Sequence, residues 1–138
     1  MDPLCFVDSN IWLYLFLPGQ DTAKAEQARQ LLRQTDCQFR VSSQVVNEVI
    51  NGLIRHAVLS EPEIRALIHR FYARYEPISV QESIQVQASE LRERYSFSHW
   101  DSLIVSAALA VGATILYSED MQDGLVVAEQ ITIVNPFR

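Results

Sequence analysis

Short apolar runs alternate along this chain with longer stretches that carry apolar residues at helical spacing. A short apolar run bounded by turn residues is typical of a buried strand. Such runs predict five strands, at 4–7, 39–41, 77–80, 113–117 and 131–134. The longer stretches between them predict six helices, at 11–17, 22–34, 42–58, 60–75, 81–94 and 98–111.

The ends of these helices coincide with residues that start or stop helices. Pro18-Gly19 breaks the first helix, and Asp21 is placed to cap the second. Ser60-Glu61-Pro62-Glu63 is a capping box with an early proline, and Gly112 ends the sixth helix. After Asp120 a short turn or helix is expected.

Buried strands that alternate with helices favour a parallel sheet covered on both faces. The sequence therefore predicts an α/β fold, a three-layer sandwich with a mostly parallel central sheet of four to five strands flanked by helices. No repeat, linker or low-complexity segment interrupts the 138 residues. We expect residues 1–138 to form a single domain, which suits a chain of this length.

The composition is that of a globular protein, with 49% hydrophobic and 20% charged residues. The apolar run 11–17 is too short to span a bilayer, and the N-terminus lacks the basic region of a signal peptide. We expect a cytoplasmic protein that does not contact a membrane. Cys5 and Cys37 lack metal-binding spacing, and Cys5 is expected to be a buried free thiol.

The net charge of −6 argues against broad, nonspecific binding to nucleic acid. It does not exclude a nuclease, because an acidic metal site can dominate the sum while local arginines hold phosphate. The basic residues are one lysine, Lys24, and otherwise arginines, which favour bidentate contacts to carboxylate or phosphate.

Four acidic residues stand where a predicted strand ends or a predicted helix begins: Asp8, Glu48, Asp101 and Asp120. Open α/β sheets build their active sites outside the carboxyl ends of their strands. Carboxylates gathered there repel one another unless a cation lies between them, and Mg²⁺ or Mn²⁺ suits a site made only of oxygen ligands. The four acids predict a metal-dependent phosphoryl-transfer enzyme.

Two of these acids also fit a helix start. Asp8 could cap the first helix, although Ser9 and Asn10 offer the same cap and would free Asp8. Asp101 has capping-box spacing from Ser98 and suits the helix dipole. It nevertheless shares a face with Ile104, which must be buried, and a buried acid is costly unless it is paired or bound to metal.

The other two acids have alternatives as well. Glu48 lies on the helix face opposite the apolar stripe, which favours a solvated position. Gly52, one turn further on, would be explained by the close approach of another element or of a substrate backbone. Asp120 could belong to a turn, and Glu119 and Asp123 compete for its role.

The run Val7-Asp8-Ser9-Asn10-Ile11 resembles the opening motif of PIN-domain nucleases, and Glu48 with Gly52 resembles their second acid in its helix. The stretches from Ser98 through Asp101 to Ala108 and from Gly112 to Asp120 resemble the segments of their third and fourth acids. Gly124 stands where the family's last motif often has an aromatic, which leaves Asp120 and Asp123 as alternatives for the fourth acid.

This resemblance implies that Asp8, Glu48, Asp101 and Asp120 are the metal-binding carboxylates of an RNA-cutting site that uses Mg²⁺ or Mn²⁺. The size and layout resemble small bacterial members, the VapC-type toxins. That similarity implies a ribonuclease, a homodimer and a cognate antitoxin protein.

The resulting hypothesis is hydrolysis of RNA phosphodiester bonds by the toxin of a toxin–antitoxin pair. A stand-alone PIN nuclease and a non-catalytic binding or regulatory module remain alternatives. A haloacid-dehalogenase-like phosphatase is disfavoured because Asp8-Ser9-Asn10 contains one acid instead of an Asp-x-Asp pair, and no P-loop is present.

Several neighbouring residues have open roles. Ser9 and Ser118 could hold carboxylates or water, or cap helices, and His99 could touch the leaving group or lie partly exposed at a helix start. The aromatic residues are expected in the core or on a dimer surface more than as base-stacking platforms; they are Trp12, Tyr14, Phe71, Tyr72 and Trp100.

Overall fold

A five-stranded sheet forms the centre of the molecule in a computed structural model that describes residues 2–19, 21–34 and 36–138. The strand order is β2-β1-β3-β5-β4. The strands are β1 (Leu4–Val7), β2 (Gln38–Arg40), β3 (Ile115–Tyr117), β4 (Val126–Val127) and β5 (Ile131–Val134). All pairs are parallel except β4 with β5, so the predicted mostly parallel sheet is confirmed.

The register of the central strands brings their carboxyl ends to one edge. Val7 pairs with Tyr117, and Tyr117 pairs with Val134. The residues that follow β1 and β3 therefore emerge side by side, beginning with Asp8 and Ser118. These two segments supply the first half of the candidate site.

The six predicted helices are confirmed. They are α1 (Ser9–Phe16), α2 (Thr22–Leu32), α3 (Ser43–Arg55), α4 (Glu61–Tyr75), α5 (Glu82–Arg94) and α6 (His99–Ala110). Asp21 caps α2 by accepting hydrogen bonds from two backbone amides, and Ser60 and Glu63 form the capping box of α4. Gly112, with φ of +81°, follows α6 as expected.

The sheet differs from the prediction at two places. The strand predicted at 77–80 is wrong, because this segment makes only one parallel bridge, between Ser42 and Ile78. Strand β4 was not predicted, because two residues are too few to show the alternation of apolar and polar positions that is typical of a strand. The segment after Asp120 forms turns with no helix before β4.

Helix α3 ends at Arg55, three residues before the predicted end. Ala57 has φ of +50°, the amide of Val58 donates to the carbonyl of Leu53, and that of Ala57 donates to Ile54. This pair of hydrogen bonds is a Schellman motif, which usually has glycine at the left-handed position. Alanine at this position hid the end of the helix from sequence analysis.

The glycine in α3 marks a close approach of another element, as predicted. A Cβ atom added to Gly52 would lie 2.8 Å from Cδ2 of Leu13 in α1. Helix α1 can therefore pack closely on α3. This contact fixes α3, and with it Glu48, relative to the chain that leaves β1.

The aromatic residues divide between core and surface. The rings of Trp12 and Phe71 are buried and meet edge to face at 5.1 Å, which confirms their predicted place in the core. Tyr72 and Trp100 are 50% and 62% exposed. Cys5 is a buried free thiol, as expected, and burial raises its pKa to about 12.

Within the described ranges, no helix is both long and apolar enough to cross a membrane.

Candidate active site

Asp8 lies at the carboxyl end of β1 and is 6% exposed. The Ser118 hydroxyl, at the end of β3, donates to Oδ2 of Asp8 at 2.9 Å. The backbone amide of Ser9 donates to Oδ1 at 2.7 Å. One oxygen is thus held by the neighbouring strand and the other by the helix that follows, so the carboxyl group has a fixed orientation.

Asp8 is itself the N-cap residue of α1. Of the alternatives that the sequence left open, Asp8 therefore supplies the cap, and Ser9 and Asn10 do not. A capping side chain commonly accepts from the second or third amide of the helix. Asp8 accepts from the first, that of Ser9, while its second oxygen accepts from Ser118, the residue that follows β3.

Burial raises the pKa of Asp8 from 3.8 to about 7. The hydrogen bonds from Ser118 and Ser9 lower this pKa, whereas the charges of Glu48 and Asp101 raise it further. Glu48 and Asp101 therefore lie near enough for their charges to act on Asp8. The structure brings together three acids that are far apart in the sequence.

Asp101 lies in the first turn of α6. It is half-buried, which is less than the burial that its apolar helix face predicts. Side chains in a helix point toward its N-terminus, and in the first turn they extend past the packed part of the helix, which begins with Ser102. Burial raises the pKa of Asp101, the Ser98 side chain lowers it, and the charge of Asp120 raises it. Asp8, and not Asp101, is the most buried of the four acids.

Glu48 is half-buried, contrary to the solvated position that its helix face indicates. The start of α6 faces this side of α3: the amide of Gln44 donates to the Glu48 carboxylate at 3.4 Å and to the Trp100 carbonyl at 3.3 Å. Glu48, Gln44 and Trp100 line a cleft of about 620 Å³. The polar face of α3 is therefore the wall of a cleft.

The three acids after β3 have different surroundings. Asp120 is exposed, accepts a hydrogen bond from the Asn10 amide at 3.0 Å and acts through its charge on Asp101. Asp123 accepts the backbone amide of Asn135 at 2.8 Å, which ties the turn to the end of β5. Asp120 is therefore the acid of this segment that the structure brings near Asp101.

Glu119 is engaged elsewhere. The Tyr14 hydroxyl donates to its carboxylate at 2.7 Å, and Lys24 forms an ion pair with it. Lys24 also lies over the ring of Phe137. This cluster joins α1, α2 and the C-terminal segment, and it gives Glu119 a structural role.

Sequence analysis missed two residues beside the acids. Asn10 was considered only as a possible cap, yet its side chain bonds both Asp120 and the amide of Glu119. Arg94, at the end of α5, lines a cleft of about 340 Å³ together with Asp101 and Asp120. A basic residue in a last helical turn is explained by the helix dipole alone, so the sequence held no specific signal for Arg94.

The four carboxylates are suited to a hard divalent cation by their oxygen donors. Across residues 2–19, 21–34 and 36–138, however, no three His, Cys, Asp or Glu side chains converge as a ready-made metal site. Mg²⁺ commonly binds one or two carboxylates and keeps several waters, so a loose set of this kind fits it.

The family model described as PIN domain matches residues 5–122, which is most of the chain. The chain belongs to the PIN-domain family. The resemblance of the chain to this family is thereby confirmed. The matched range includes Asp8, Glu48, Asp101 and Asp120 and ends before Asp123.

Solved structures share the fold of this PIN domain. A toxin–antitoxin complex from Klebsiella pneumoniae has a TM-score of 0.71 and 20% identity, covering 96% of this chain and 97% of that chain. VapBC2 from Rickettsia felis, bound to a DNA fragment from its promoter, has a TM-score of 0.64 and 18% identity over 94% and 96%. VapC20 from Mycobacterium tuberculosis, a sarcin–ricin loop cleaving toxin, has a TM-score of 0.66 and 21% identity over 81% and 86%.

At these identities the likeness shows the fold alone. No curated protein sequence matches the chain significantly.

Proposed function

We propose that this PIN domain, taken as a single domain over residues 1–138, is a metal-dependent ribonuclease that hydrolyses RNA phosphodiester bonds. The observation that carries the proposal is the buried carboxyl of Asp8, on which the charges of Glu48 and Asp101 act unfavourably. Buried carboxylates that repel one another destabilise a fold unless a cation compensates their charge. Their place at the carboxyl edge of a parallel sheet supports an active site.

The proposed chemistry joins a water oxygen to phosphorus and breaks the bond from phosphorus to the bridging ribose oxygen, which leaves with a proton. A bound Mg²⁺ or Mn²⁺ would supply a more acidic water and offset negative charge on the phosphate. Asp8, Asp101 and Asp120 would hold the ion, and Glu48 would orient the attacking water or hold a second ion. Ser9, Ser118 and Asn10 would fix the carboxylates through the hydrogen bonds described above.

Arg94 supplies the positive charge that an acidic site needs to hold RNA. Its guanidinium lies in the same cleft as Asp101 and Asp120 and above the ring of Tyr95 at 5.4 Å. Guanidinium groups bind phosphate oxygens in a bidentate manner. We propose that Arg94 holds a backbone phosphate next to the one that is cleaved.

Metal binding tests this proposal against a non-catalytic binding module. Calorimetric titration of the purified chain with Mn²⁺ should give a saturable signal, and the double variant Asp8→Asn/Asp101→Asn should lose it. Each replaced carboxylate removes a charged oxygen ligand. Absence of Mn²⁺ binding to the natural chain, or equal binding by the double variant, would favour the binding module.

The structure allows a direct choice between the two candidates for the fourth acid. Asp120→Asn should lower the rate of metal-dependent RNA cleavage by roughly tenfold or more, because one of the proposed oxygen ligands of the ion loses its charge. Asp123→Asn is the matched control. Its cleavage rate should stay within about threefold of the natural rate, because the Asp123 carboxylate accepts a hydrogen bond from the amide of Asn135. The reverse order of the two rates would assign the role to Asp123.

We also propose that the chain is the toxin of a toxin–antitoxin pair, acts in the cytoplasm and forms a homodimer. The fold shared with a Klebsiella pneumoniae toxin–antitoxin complex supports the antitoxin partner. A short neighbouring reading frame that encodes a DNA-binding motif, whose product copurifies with this chain, is the expected result. Lack of such a frame would favour the stand-alone nuclease. Sedimentation of the purified chain would measure its mass in solution and so test the homodimer.

A further inference from the structure

Side-chain amides supply most of the polar groups that line the cleft between α3 and the start of α6. We call it the amide cleft, and its polar lining includes Gln44, Asn47, Asn51 and Gln85, together with Glu48. Its volume of about 620 Å³ lies within the range of ligand pockets, roughly 300–1,000 Å³. The lining holds no arginine or lysine, Glu48 is its only acid and His99 its only other titratable residue, so the cleft suits a phosphate poorly but offers neutral donors and acceptors.

Gln44 presents an acceptor without a donor in this cleft. Its Nε2 atom donates to the carboxylate of Glu48 and to the carbonyl of Trp100, which are both acceptors. Exchanging the amide's oxygen and nitrogen would set oxygen against both, so the nitrogen is the atom that faces them. The buried Oε1 then accepts no hydrogen bond from any group in the described part of the chain. A buried unsatisfied acceptor is costly, so a turn of the Gln44 side chain that brings Oε1 to a donor in the cleft would lower the free energy.

Trp100 adds an aromatic surface at the mouth of the amide cleft. It is 62% exposed, and the ring of His99 meets it edge to face at 4.8 Å. Its backbone is held by α6 and by the Gln44 hydrogen bond, so the ring is presented from a fixed backbone. Exposed rings of this kind serve as platforms on which nucleobases stack.

The amide cleft adjoins the carboxylates of the candidate active site. Glu48 lines it, and its charge acts on Asp8. Trp100 lines it, whereas the next residue, Asp101, lines the second cleft with Arg94. The first turn of α6 therefore separates the amide cleft, whose only acid is Glu48, from a cleft with two acids and an arginine.

We propose that the amide cleft binds a nucleobase of the RNA strand, next to the phosphodiester cleaved at the four carboxylates, and thereby sets base preference. The base stacks on Trp100, the Gln44 side chain turns to bring its Oε1 to an N–H of the base, and Asn47 and Asn51 contact the edge of the base. Side-chain amides pair with base edges in this way. The inference rests on the proposed ribonuclease activity and adds a specificity site to it.

Binding of short RNA without metal tests the inference. Fluorescence anisotropy in EDTA would measure the affinity of the chain for four labelled hexaribonucleotides, each made of a single type of base. Trp100→Ala should weaken binding of the preferred hexamer roughly tenfold, since stacking on an aromatic residue contributes that much or more. Trp100→Phe should restore most of the affinity. Gln44→Met, which removes the acceptor at similar length, should instead reduce the difference among the four hexamers.

Tyr72→Ala is the matched control, because Tyr72 is another exposed aromatic residue and does not line the amide cleft. It should leave hexamer affinity unchanged, and sedimentation should show the same mass for each variant. Unchanged affinity in Trp100→Ala would overturn the inference, and a fall in its mass would then identify the cleft as a surface between copies of this chain.

The two proposals fail in distinguishable ways. Metal-dependent cleavage of longer RNA without measurable hexamer binding would overturn the base site and leave the ribonuclease. Hexamer binding that depends on Trp100, without any metal-dependent cleavage, would overturn the ribonuclease while supporting a base-binding cleft.

Discussion

Replacement of Asp8 or Asp101 by asparagine is expected to abolish Mg²⁺- or Mn²⁺-dependent RNA cleavage. Metal-ion stabilisation of a phosphoryl transition state contributes several kcal/mol. About 1.4 kcal/mol corresponds to a factor of ten in rate. We therefore expect kcat/KM to fall by about 10³-fold or more in each variant, measured with a labelled RNA at saturating Mn²⁺.

The matched control for these variants is Asp21→Asn. Asp21 caps α2 through two backbone amides, and asparagine is an equally good cap, so this variant should keep both its fold and its cleavage rate. Circular dichroism would verify that all three variants are folded. Cleavage that persists in both Asp8→Asn and Asp101→Asn, at a rate near that of Asp21→Asn, would reject the carboxylate site.

The metal-free protein is expected to become more stable, not less, when Asp8 is replaced by asparagine. Burial raises the pKa of Asp8 to about 7, so at pH 8 the folded protein holds a charge that its surroundings disfavour. A rise of about three pKa units corresponds to a ceiling of roughly 4 kcal/mol. Asparagine removes the charge and can still accept a hydrogen bond from the amide of Ser9.

The gain from Asp8→Asn should depend on pH in a defined way. Below about pH 4 the carboxyl is neutral in both the folded and the unfolded chain, so the natural protein and the variant should differ little. As pH rises toward 7, the unfolded chain ionises first and the natural protein loses stability relative to the variant. Above about pH 7 the difference should be constant and largest.

Thermal unfolding in EDTA at pH 4, 6 and 8 measures this difference. At about 4 °C per kcal/mol, the variant should melt several degrees above the natural protein at pH 8. Added Mn²⁺ should raise the melting temperature of the natural protein and have little effect on the variant. A variant that melts lower at pH 8 would show that Asp8 stabilises the fold as a cap and carries no uncompensated charge.

Helix signals were the most reliable guide to the fold. Caps such as Asp21 and the capping box at Ser60 act through bonds to amides within one turn, so the sequence determines them locally. The segment 77–80 illustrates the opposite case. Its composition suits a strand, but a strand exists only if a neighbour pairs with it, and Ile78 finds a single partner in Ser42.

The four acids show the same division within the site. The sequence placed Asp8 at the end of a strand and Asp101 in a first helical turn, because both positions follow from local pattern. Glu48 could not be placed from its helix face, which is polar whether it contacts water or a cleft. Only the approach of the start of α6, whose Trp100 carbonyl accepts a hydrogen bond from the Gln44 amide, made that face the wall of a cleft.

The sequence by itself determined the alternation of strands and helices, the mostly parallel sheet, and the places of Asp8 at a strand end and Asp101 in a first helical turn, since these depend on periodicity and caps. The tertiary structure decided that Asp8 is the most buried acid, that Asp120 and not Asp123 faces Asp101, and that Arg94 and Trp100 flank them. Burial, charge coupling and clefts arise between residues distant in sequence. Local pattern therefore carries no signal for them.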